Sequence, residues 1–234
     1  MKKLVVFTGA GVSADSGIAT FRDSDGLWAN YRIEEVCTPE ALARDRAKVV
    51  EFYNLRRRET LSKEPNAAHR AIAELEKWFD VEVVTQNVDN LHERAGSSYI
   101  IHLHGELMKV TSSISPNDSR YVKTLDEEHL EVRIGDLADD GSQLRPFIVW
   151  FGESVPEIEK AAEECAKAEM LIVIGTSLNV YPAAGLTRCV APGTPIYLID
   201  PNPVTWNSNE KVHHIVKGAS EGMKELFSIL NISL

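Results

Sequence analysis

Leu4-Val5-Val6-Phe7-Thr8-Gly9-Ala10-Gly11-Val12-Ser13-Ala14 joins an apolar run to a glycine-rich turn. The apolar run predicts a short buried strand. The turn fits the pattern G-x-G-x-x-G/A, which is typical of a dinucleotide-binding turn between a strand and a helix. Gly9 permits the tight turn, Gly11 lets the backbone approach a pyrophosphate, and Ala14 is small enough for the helix to pack on the strand. The first N–H groups of that helix are predicted to bind phosphate.

The six residues of the motif, Gly9 to Ala14, are also compatible with a strand-to-helix turn that binds no ligand. A nicotinamide dehydrogenase needs, in addition, an Asp or Glu about 20 residues further on, at the end of a second strand. The carboxylates of that region, Glu34 and Glu35, follow no strand-like run. The sequence therefore disfavours hydride transfer and favours a dinucleotide that is used in another way.

Length and charge limit the possible classes of protein. The chain has 234 residues, enough for one large domain or a domain with a small insert. Its formal charge of −10 opposes tight nonspecific binding to nucleic acid or to anionic membranes. No apolar stretch approaches the roughly 18 residues of a membrane span, and no signal-peptide core follows Met1. The three cysteines form no C-x-x-C pair, so we expect neither a zinc module nor disulfides, and we expect a cytoplasmic protein.

Apolar runs alternate with helical patterns along most of the chain. This alternation predicts an α/β fold, a Rossmann-like, doubly wound parallel sheet with right-handed crossovers. Strands are expected at 4–7, 81–85, 99–103, 146–151, 170–175 and 195–199, and helices at 39–61 (with a break near 44–45), 65–79, 88–95, 156–168 and 220–230. The polar segment 105–145 is expected to be an insert outside this sheet, with a small β element at 130–134. The polar segment 23–31 is expected to be a loop, typical of a lid.

Polar residues and glycines follow five of the predicted strands. Ligands of a doubly wound sheet bind beyond the carboxyl ends of its strands, so these residues are expected to share one cleft. They are Thr8-Gly9, Thr85-Gln86-Asn87, His104-Gly105, Gly175-Thr176-Ser177 and Asp200. Asp200 is either a turn residue before Pro201 or a carboxylate that accepts the hydroxyls of a ribose.

Three of these groups have both a structural and a functional interpretation. Gln86, Asn87 and Asp89 can cap a helix, but together they also offer the donors and acceptors that recognise a carboxamide. His104 is either a buried structural histidine or a general base in a cleft. The hydroxyls and amides of Gly175-Thr176-Ser177 serve either as a helix cap or as a phosphate site.

Taken together, these motifs resemble those of the sirtuins, the NAD-dependent protein-lysine deacylases. The matching segments occur in the family's order over nearly the whole chain: Gly9-Ala10-Gly11-Val12-Ser13, Ser16-Gly17-Ile18-Ala19-Thr20-Phe21-Arg22, Gly26-Leu27-Trp28, Gln86-Asn87-Val88-Asp89-Asn90-Leu91-His92, His104-Gly105, Val149-Trp150-Phe151-Gly152-Glu153 and Gly175-Thr176-Ser177-Leu178. The linked set is far more specific than any one of its motifs.

The resemblance implies an NAD site. Its residues would be Gly9, Ala10, Gly11, Ser13, Ile18, Phe21, Arg22, Gln86, Asn87, Asp89, Gly175, Thr176, Ser177 and Asp200. Within this set, Ile18, Asn87 and Asp89 would seat the nicotinamide. His104 would be the general base, with Asn87 as the second catalytic residue.

The resemblance also implies the reaction. The acyl oxygen attacks the ribose carbon as nicotinamide leaves, and His104 helps a ribose hydroxyl to attack the resulting imidate. Water then completes the formation of free lysine and O-acyl-ADP-ribose, so NAD is a consumed co-substrate. The acyl-lysine peptide would lie as an added strand between 149–153 and 178–181. The implied substrate residues are Tyr53, Arg56, Val149, Phe151, Gly152 and Glu153.

The chain departs from the family pattern in two respects. Family members usually carry four zinc-binding cysteines between the His-Gly and Trp-Phe-Gly-Glu motifs, and this chain has no cysteine there. No zinc is therefore expected, and the insert must be held by a small core of its own. Asp200 stands where the family more often has Asn, and we expect the ribose contact to survive.

Tyr53 and Arg56 bear on the substrate. They match the Tyr-x-x-Arg of sirtuins that remove succinyl, malonyl or glutaryl groups, and their spacing puts them on one face of a helix. A phenol and a guanidinium can bind a carboxylate through charge-assisted hydrogen bonds. The alternative is a solvated, arginine-rich helix face, since Arg57 and Arg58 follow.

The sequence thus predicts an NAD-dependent deacylase in two bodies. Residues 1–31, 64–104 and 145–234 would form the Rossmann-like domain, and 32–63 with 105–144 a small domain. A monomer is expected. An ADP-ribosyltransferase on the same scaffold and a non-enzymatic NAD or ADP-ribose sensor stay as alternatives.

Overall fold

The computed structural model of the chain describes residues 1–18, 30–126, 128–204, 206 and 211–233. Within these residues the strands form two sheets, one of six parallel strands and one of three antiparallel strands. Most of the expected lid at 23–31 lies outside the described residues, as do the predicted NAD-site residues Phe21 and Arg22.

The parallel sheet confirms the predicted α/β fold. The strands of the chain are β1 (Lys2–Thr8), β2 (Phe79–Thr85), β3 (Ile100–His102), β4 (Gly105–Ser112), β5 (Lys123–Thr124), β6 (Leu144–Ile148), β7 (Met170–Ile174), β8 (Ile196–Ile199) and β9 (Val212–Ile215). The parallel sheet has the order β3-β2-β1-β7-β8-β9, with β1 near its centre. The sequence did not predict β9, because its Val-His-His-Ile pattern is short and half polar.

Helices cover both faces of this sheet. The helices of the described residues are α1 (Ile33–Val36), α2 (Pro39–Arg44), α3 (Arg46–Leu61), α4 (Ala67–Glu74), α5 (Leu91–Ala95), α6 (Ile158–Lys167) and α7 (Ala219–Leu230). Helices α4 and α7 lie on one face, and α6 lies on the other. Alternate residues of β1 serve two cores, because successive side chains of a strand point to opposite faces. Leu4 and Val6 pack in the core that includes α4 and α7, and Val5 and Phe7 pack in the core that includes α6. None of the helices in the described part of the chain is both long and apolar enough to cross a membrane.

Two predicted helices differ from those observed, and the break predicted in a third is confirmed. The break expected near residues 44–45 is present, since α2 ends at Arg44 and α3 begins at Arg46. The helix expected at 88–95 is confined to α5, because residues 86–90 form the loop that carries the polar side chains of β2's end. Two three-ten turns, Ala10–Val12 and Ala14–Ser16, follow the glycine turn in place of the expected helix.

The insert forms the small antiparallel sheet, with the order β5-β4-β6. Two predictions about this region were wrong. Residues 130–134 are irregular, and the strand expected at 146–151 is β6, which pairs with β4 and not with the parallel sheet. An apolar run shows that a strand is buried, but it does not show which sheet receives it. The rest of the proposed division into two domains stays a prediction.

Helices α1 to α3 and the small sheet share one core. Val36, Phe52 and Tyr53 of the helices pack with Leu107 and Ile148 of the sheet. A polar contact adds to this core: the Asn54 side chain donates to the carbonyl of Val132 at 2.9 Å and accepts from its N–H at 3.0 Å. This double hydrogen bond ties the irregular segment of the insert to α3.

Candidate active site

A cleft of about 870 Å³ opens at the carboxyl ends of the parallel strands and extends to the small sheet. Its volume is in the range of about 300–1,000 Å³ that is usual for ligand pockets. Every described residue of the predicted site lines it: Gly9, Ala10, Gly11, Ser13, Ile18, Tyr53, Arg56, Gln86, Asn87, Asp89, His104, Val149, Phe151, Gly152, Glu153, Gly175, Thr176, Ser177 and Asp200. The tertiary structure therefore brings together residues that are scattered over most of the chain.

Two glycine loops interlock at the floor of the cleft. The N–H of Gly11 donates to the carbonyl of Gly175 at 2.9 Å. A Cβ added at Gly9 or Gly11 would lie within 2.9 Å of the Gly175 backbone. Gly175 itself has a φ of +61°, and a Cβ there would lie 2.4 Å from the backbone nitrogen of Val12. These glycines let two backbones approach each other, and so they shape the floor of the cleft.

We expect Gly175→Ala to lower the free energy of unfolding by about 3 kcal/mol, because it adds left-handed backbone strain to an overlap with fixed backbone atoms. Gly141→Ala is the matched control: its φ is +80°, but a Cβ there meets no described atom within 4 Å. The control should cost only about 1 kcal/mol of strain. Denaturant unfolding of both variants checks this, and equal losses would contradict the role of the interlocked loops.

Gln86 and Thr176 connect the ends of β2 and β7. The side-chain amide of Gln86 donates to the Thr176 hydroxyl at 2.9 Å, and the Gln86 N–H donates to the carbonyl of Thr8. These contacts fix Gln86 between the two loops, where it lines the cleft.

Asn87 and Asp89 are held in place by one hydroxyl. The Asn87 amide donates to Ser13 Oγ at 3.1 Å, and Ser13 Oγ donates to Asp89 Oδ2 at 3.1 Å. Asp89 Oδ1 accepts from the N–H of Leu91. Burial raises the pKa of the Asp89 carboxyl, and the hydrogen bonds from Leu91 and Ser13 oppose that rise. The two side chains thus present fixed amide and carboxyl groups to the cleft, as a carboxamide site requires.

Two buried histidines lie beneath this set. Because the Ser13 proton goes to Asp89, the contact of 3.4 Å between His69 and Ser13 Oγ requires His69 Nε2 to carry a proton. His69 Nδ1 accepts from the N–H of Asn66. The ring of His92 lies edge-on to His69, at 4.9 Å between centroids. Burial lowers the pKa of His69 to about 4, so both of its hydrogen bonds suit a neutral ring.

The neutrality of His69 makes stability depend on pH. In the unfolded chain His69 binds a proton below about pH 6.5, whereas the folded protein resists protonation down to about pH 4. Stability is therefore lost as the pH falls through this window. We expect His69 to contribute about 2 kcal/mol to the loss between pH 7 and pH 5. Denaturant unfolding of His69→Gln at the two pH values tests this, because the variant should lose that much less; an unchanged difference would contradict it.

His104 has a defined tautomer. Its Nδ1 lies 3.0 Å from the carbonyl oxygen of Gln86, and since a carbonyl can only accept, Nδ1 carries the proton. In the neutral ring Nε2 then bears the lone pair. Burial lowers the pKa of His104, and the hydrogen bond to Gln86 opposes that shift only in part. The ring therefore stays neutral and able to accept a proton at neutral pH.

His102, the last residue of β3, is a second histidine beside the loop of residues 86–90, and no local sequence signal indicates its role. Its Nδ1 lies 3.0 Å from the carbonyl of Asn87, and its Nε2 lies 2.7 Å from Glu93. Burial lowers the pKa of His102, but the contacts with Glu93 and with the carbonyl of Asn87 raise it, and the net shift is upward. His102, which is paired with Glu93, thus binds the carbonyl of Asn87. The neutral His104 binds the carbonyl of the preceding residue, Gln86.

Tyr53 and Arg56 lie at the end of the cleft next to the small sheet. Tyr53 is 1% exposed, and its hydroxyl accepts a hydrogen bond of 2.8 Å from the indole N–H of Trp150. The thiol of Cys37 lies 3.5 Å from the same hydroxyl. Burial raises the pKa of the Tyr53 phenol, so the hydroxyl keeps its proton. Cys37 and Trp150 also line the cleft, and no local sequence signal distinguishes them as neighbours of Tyr53.

The segment 149–153 forms one wall. The N–H of Val149 donates to the carbonyl of His104, and the N–H of Phe151 donates to the carbonyl of Cys37. Phe151 is 50% exposed, but the carboxylate of Glu153 is held by the buried guanidinium of Arg145 in two hydrogen bonds of 2.7 and 3.0 Å. Glu153 therefore stabilises the conformation of this wall, while the ring of Phe151 is exposed and can contact a ligand.

Asp200 directly follows β8, at the carboxyl end of that strand. Its Oδ1 accepts from the N–H of Asn202 at 2.9 Å, and its backbone carbonyl accepts from His214 Nε2 at 3.0 Å. Asp200 is therefore a turn residue before Pro201, and it also lines the cleft, as a contact with a ribose would require.

A sequence model of the Sir2 family matches residues 9–182, from the glycine turn to the far wall of the cleft. The chain belongs to the Sir2 family. It is 59% identical over 230 residues to an NAD-dependent protein deacylase of Bacteroides thetaiotaomicron, covering 98% of each chain. The predicted membership of the sirtuins is thereby confirmed.

Solved structures of Sir2 proteins share the fold. A Sir2 homologue in complex with NAD is 39% identical, with a TM-score of 0.82, over 97% of this chain and 89% of that one. A Sir2 protein bound to the inhibitor EX-527, 2′-O-acetyl-ADP-ribose and a deacetylated p53 peptide is 28% identical, with a TM-score of 0.73, over 98% of this chain and 94% of that one. The Sir2 match therefore extends beyond the glycine turn to the whole architecture.

Proposed function

We propose that this protein removes acyl groups from protein lysines, with NAD as a consumed co-substrate, and that it prefers acyl groups that end in a carboxylate. The observation that carries the proposal is that one cleft is lined both by the neutral His104 and by the pair Tyr53 and Arg56. The first marks a reacting centre and the second marks a site for an anion.

The residues of the cleft fit NAD. The N–H groups of Gly9, Gly11 and Gly175 already donate within the protein, so the glycine loops serve a pyrophosphate mainly by letting it approach closely. The hydroxyls of Thr176 and Ser177 line the cleft beside these loops and suit the pyrophosphate oxygens. The fixed Asn87 and Asp89 suit the carboxamide of nicotinamide, and Asp200 suits a ribose. When bound, NAD supplies an electrophilic ribose carbon whose leaving group is nicotinamide.

His104 serves as the general base. With its proton on Nδ1 and its lone pair on Nε2, it accepts the proton of a ribose hydroxyl. The carbonyl of Gln86 keeps Nδ1–H in place and stabilises the imidazolium that forms. The same carbonyl belongs to Gln86, whose side chain is fixed by Thr176, so the base and this part of the proposed NAD site share one support.

This tautomer and the low pKa predict the pH profile. Burial disfavours the imidazolium, so His104 remains a base to a lower pH than an exposed histidine. We expect kcat/KM to fall with acid only below about pH 6.5, where an ordinary histidine is already half protonated. Initial rates from pH 5 to 9 at saturating NAD check this. An acid limb centred above pH 7 would contradict the assignment.

Arg56 and Tyr53 select the acyl group. A guanidinium and a phenol that line the same wall can bind a terminal carboxylate by charge-assisted hydrogen bonds. A buried carboxylate without such partners would be costly to desolvate. Acetyl-lysine leaves this end of the cleft to water, which lowers affinity without preventing the reaction.

The acyl-lysine peptide lies along 149–153. The N–H groups of Val149, Trp150 and Phe151 already donate within the protein, so this wall offers a peptide mainly its carbonyls and the exposed ring of Phe151. We further propose that the protein acts in the cytoplasm as a monomer, consistent with its three unpaired cysteines. Sedimentation at micromolar concentration tests the monomer.

The decisive experiment is mass spectrometry of matched acetyl-lysine and succinyl-lysine peptides, incubated with and without NAD. The proposal requires NAD-dependent loss of both groups, faster loss of succinyl, and the appearance of O-succinyl-ADP-ribose. Faster loss of acetyl would remove the acidic preference and keep the deacylase. Addition of ADP-ribose to protein without loss of acyl groups would replace the deacylase by an ADP-ribosyltransferase, and binding without release of nicotinamide would leave a sensor.

A further inference from the structure

Trp150 contacts three groups that belong to different parts of the site. Its indole N–H donates to the Tyr53 hydroxyl at 2.8 Å, and its backbone N–H donates to Glu153 Oε2 at 2.8 Å. The guanidinium of Arg145 lies over its ring at 3.7 Å from the centroid. Trp150 is 2% exposed, so these contacts exclude water.

Arg145 and Glu153 determine where the indole lies. Arg145 is 3% exposed and donates twice to Glu153 and once, at 2.7 Å, to the carbonyl of Ile148. The guanidinium is thus bonded on both sides of the segment that carries Trp150. The indole lies between the fixed guanidinium of Arg145 and the phenol of Tyr53, so it has little freedom to turn and its N–H remains directed at the phenol.

The indole N–H determines what the Tyr53 hydroxyl can do. A phenol has one proton to donate, and an N–H donor occupies one of its acceptor sites and polarises that proton. The Cys37 sulfur, 3.5 Å away, is the described neighbour of the hydroxyl that can accept the proton, and sulfur is a weak acceptor. A carboxylate in the cleft is a much stronger acceptor.

We infer that Trp150 is a specificity-determining residue that acts through Tyr53: it makes the Tyr53 hydroxyl a donor to a terminal carboxylate of the acyl group. This inference rests on the proposed preference for acidic acyl groups and adds a residue to it. Trp150 is a positioning residue in this role, since it directs the hydroxyl without donating to the carboxylate.

The test is a double-mutant cycle of Trp150→Phe and Tyr53→Phe, with succinyl-lysine and butyryl-lysine peptides. Phenylalanine keeps a ring beneath Arg145 and removes the indole N–H, and butyryl matches the length of succinyl without its charge. We expect Tyr53→Phe to lower kcat/KM for succinyl roughly ten-fold and Trp150→Phe roughly five-fold, while butyryl changes less than about two-fold. In the Tyr53→Phe background, Trp150→Phe should have no further selective effect, since the hydroxyl is already absent.

Cys37→Ser gives a second measurement, which leaves the Trp150 indole in place and so is free of any packing change caused by the smaller ring of phenylalanine. A serine hydroxyl is a stronger acceptor than sulfur and competes for the Tyr53 proton. It should lower kcat/KM for succinyl but not for butyryl, whereas Cys37→Ala should leave the ratio of the two unchanged or raise it.

The outcomes separate the inference from the proposed function. Equal effects of Tyr53→Phe on succinyl and butyryl would overturn the acidic preference itself. A selective effect of Tyr53→Phe, combined with equal losses for both substrates in Trp150→Phe, would overturn only the role of Trp150. Full additivity of the two substitutions on succinyl would also overturn it, because the indole would then act independently of the phenol.

Discussion

His104→Ala is expected to lower kcat for deacylation by roughly 10³-fold and to leave the affinity for NAD within a few fold. General bases contribute roughly 10²- to 10⁴-fold, and His104 has the neutral ring, the fixed Nδ1 proton and the position in the cleft that this role requires. Turnover of a succinyl-lysine peptide and NAD binding by calorimetry measure the two effects separately.

His213→Ala is the control for this result. His213 is an exposed histidine on β9, beside Tyr197, and it does not line the cleft. Its replacement should leave both turnover and NAD binding unchanged. If His104→Ala keeps its turnover, or if it loses NAD binding along with turnover, His104 is a structural histidine and the base must be sought elsewhere.

Arg56→Met is expected to lower kcat/KM for a succinyl-lysine peptide roughly 100-fold, while the value for acetyl-lysine changes only a few fold. Removing one partner of a desolvated charge pair typically costs several kcal/mol, because the remaining charge stays buried without compensation. Methionine keeps the length and apolar stem of the arginine, so the packing of α3 should be little disturbed.

Arg58→Met tests whether the selective loss of activity on succinyl-lysine is specific to position 56 or follows the removal of any arginine from α3. Arg58 lies on the same helix, is exposed, and pairs with Glu51 and Glu131 on the surface. An exposed pair of this kind contributes little, so both peptides should react as with the unchanged protein. Equal losses for succinyl and acetyl in Arg56→Met would mean that Arg56 supports the packing of α3 and does not select the acyl group.

Two errors in the sequence-based predictions have the same origin. The strand expected at 146–151 exists as β6, but it lies in the small sheet, and a three-ten turn replaces the helix expected after Gly11. An apolar run indicates a buried strand, and a glycine pattern indicates a turn. Neither shows which element packs against it. The partner that receives the strand, here β4, is distant in sequence and leaves no mark on the local pattern.

The sequence by itself was enough to predict which residues share the cleft. Alternating apolar runs and helical patterns predict a parallel sheet, and such a sheet gathers the polar residues at its carboxyl ends, so His104, Asn87 and Asp200 could be assigned to one cleft. Those signals are local, because apolar periodicity and turn residues are read from neighbouring positions in the chain.

Only the tertiary structure decided what each of these groups is bonded to. It gave His104 its tautomer through the carbonyl of Gln86, it turned the Glu153 carboxylate to Arg145, and it joined Tyr53 to Trp150, 97 residues further along the chain. The physical reason is that a hydrogen bond depends on the position of two atoms to within a few tenths of an ångström. That position results from the packing of whole elements, which no spacing along the sequence records.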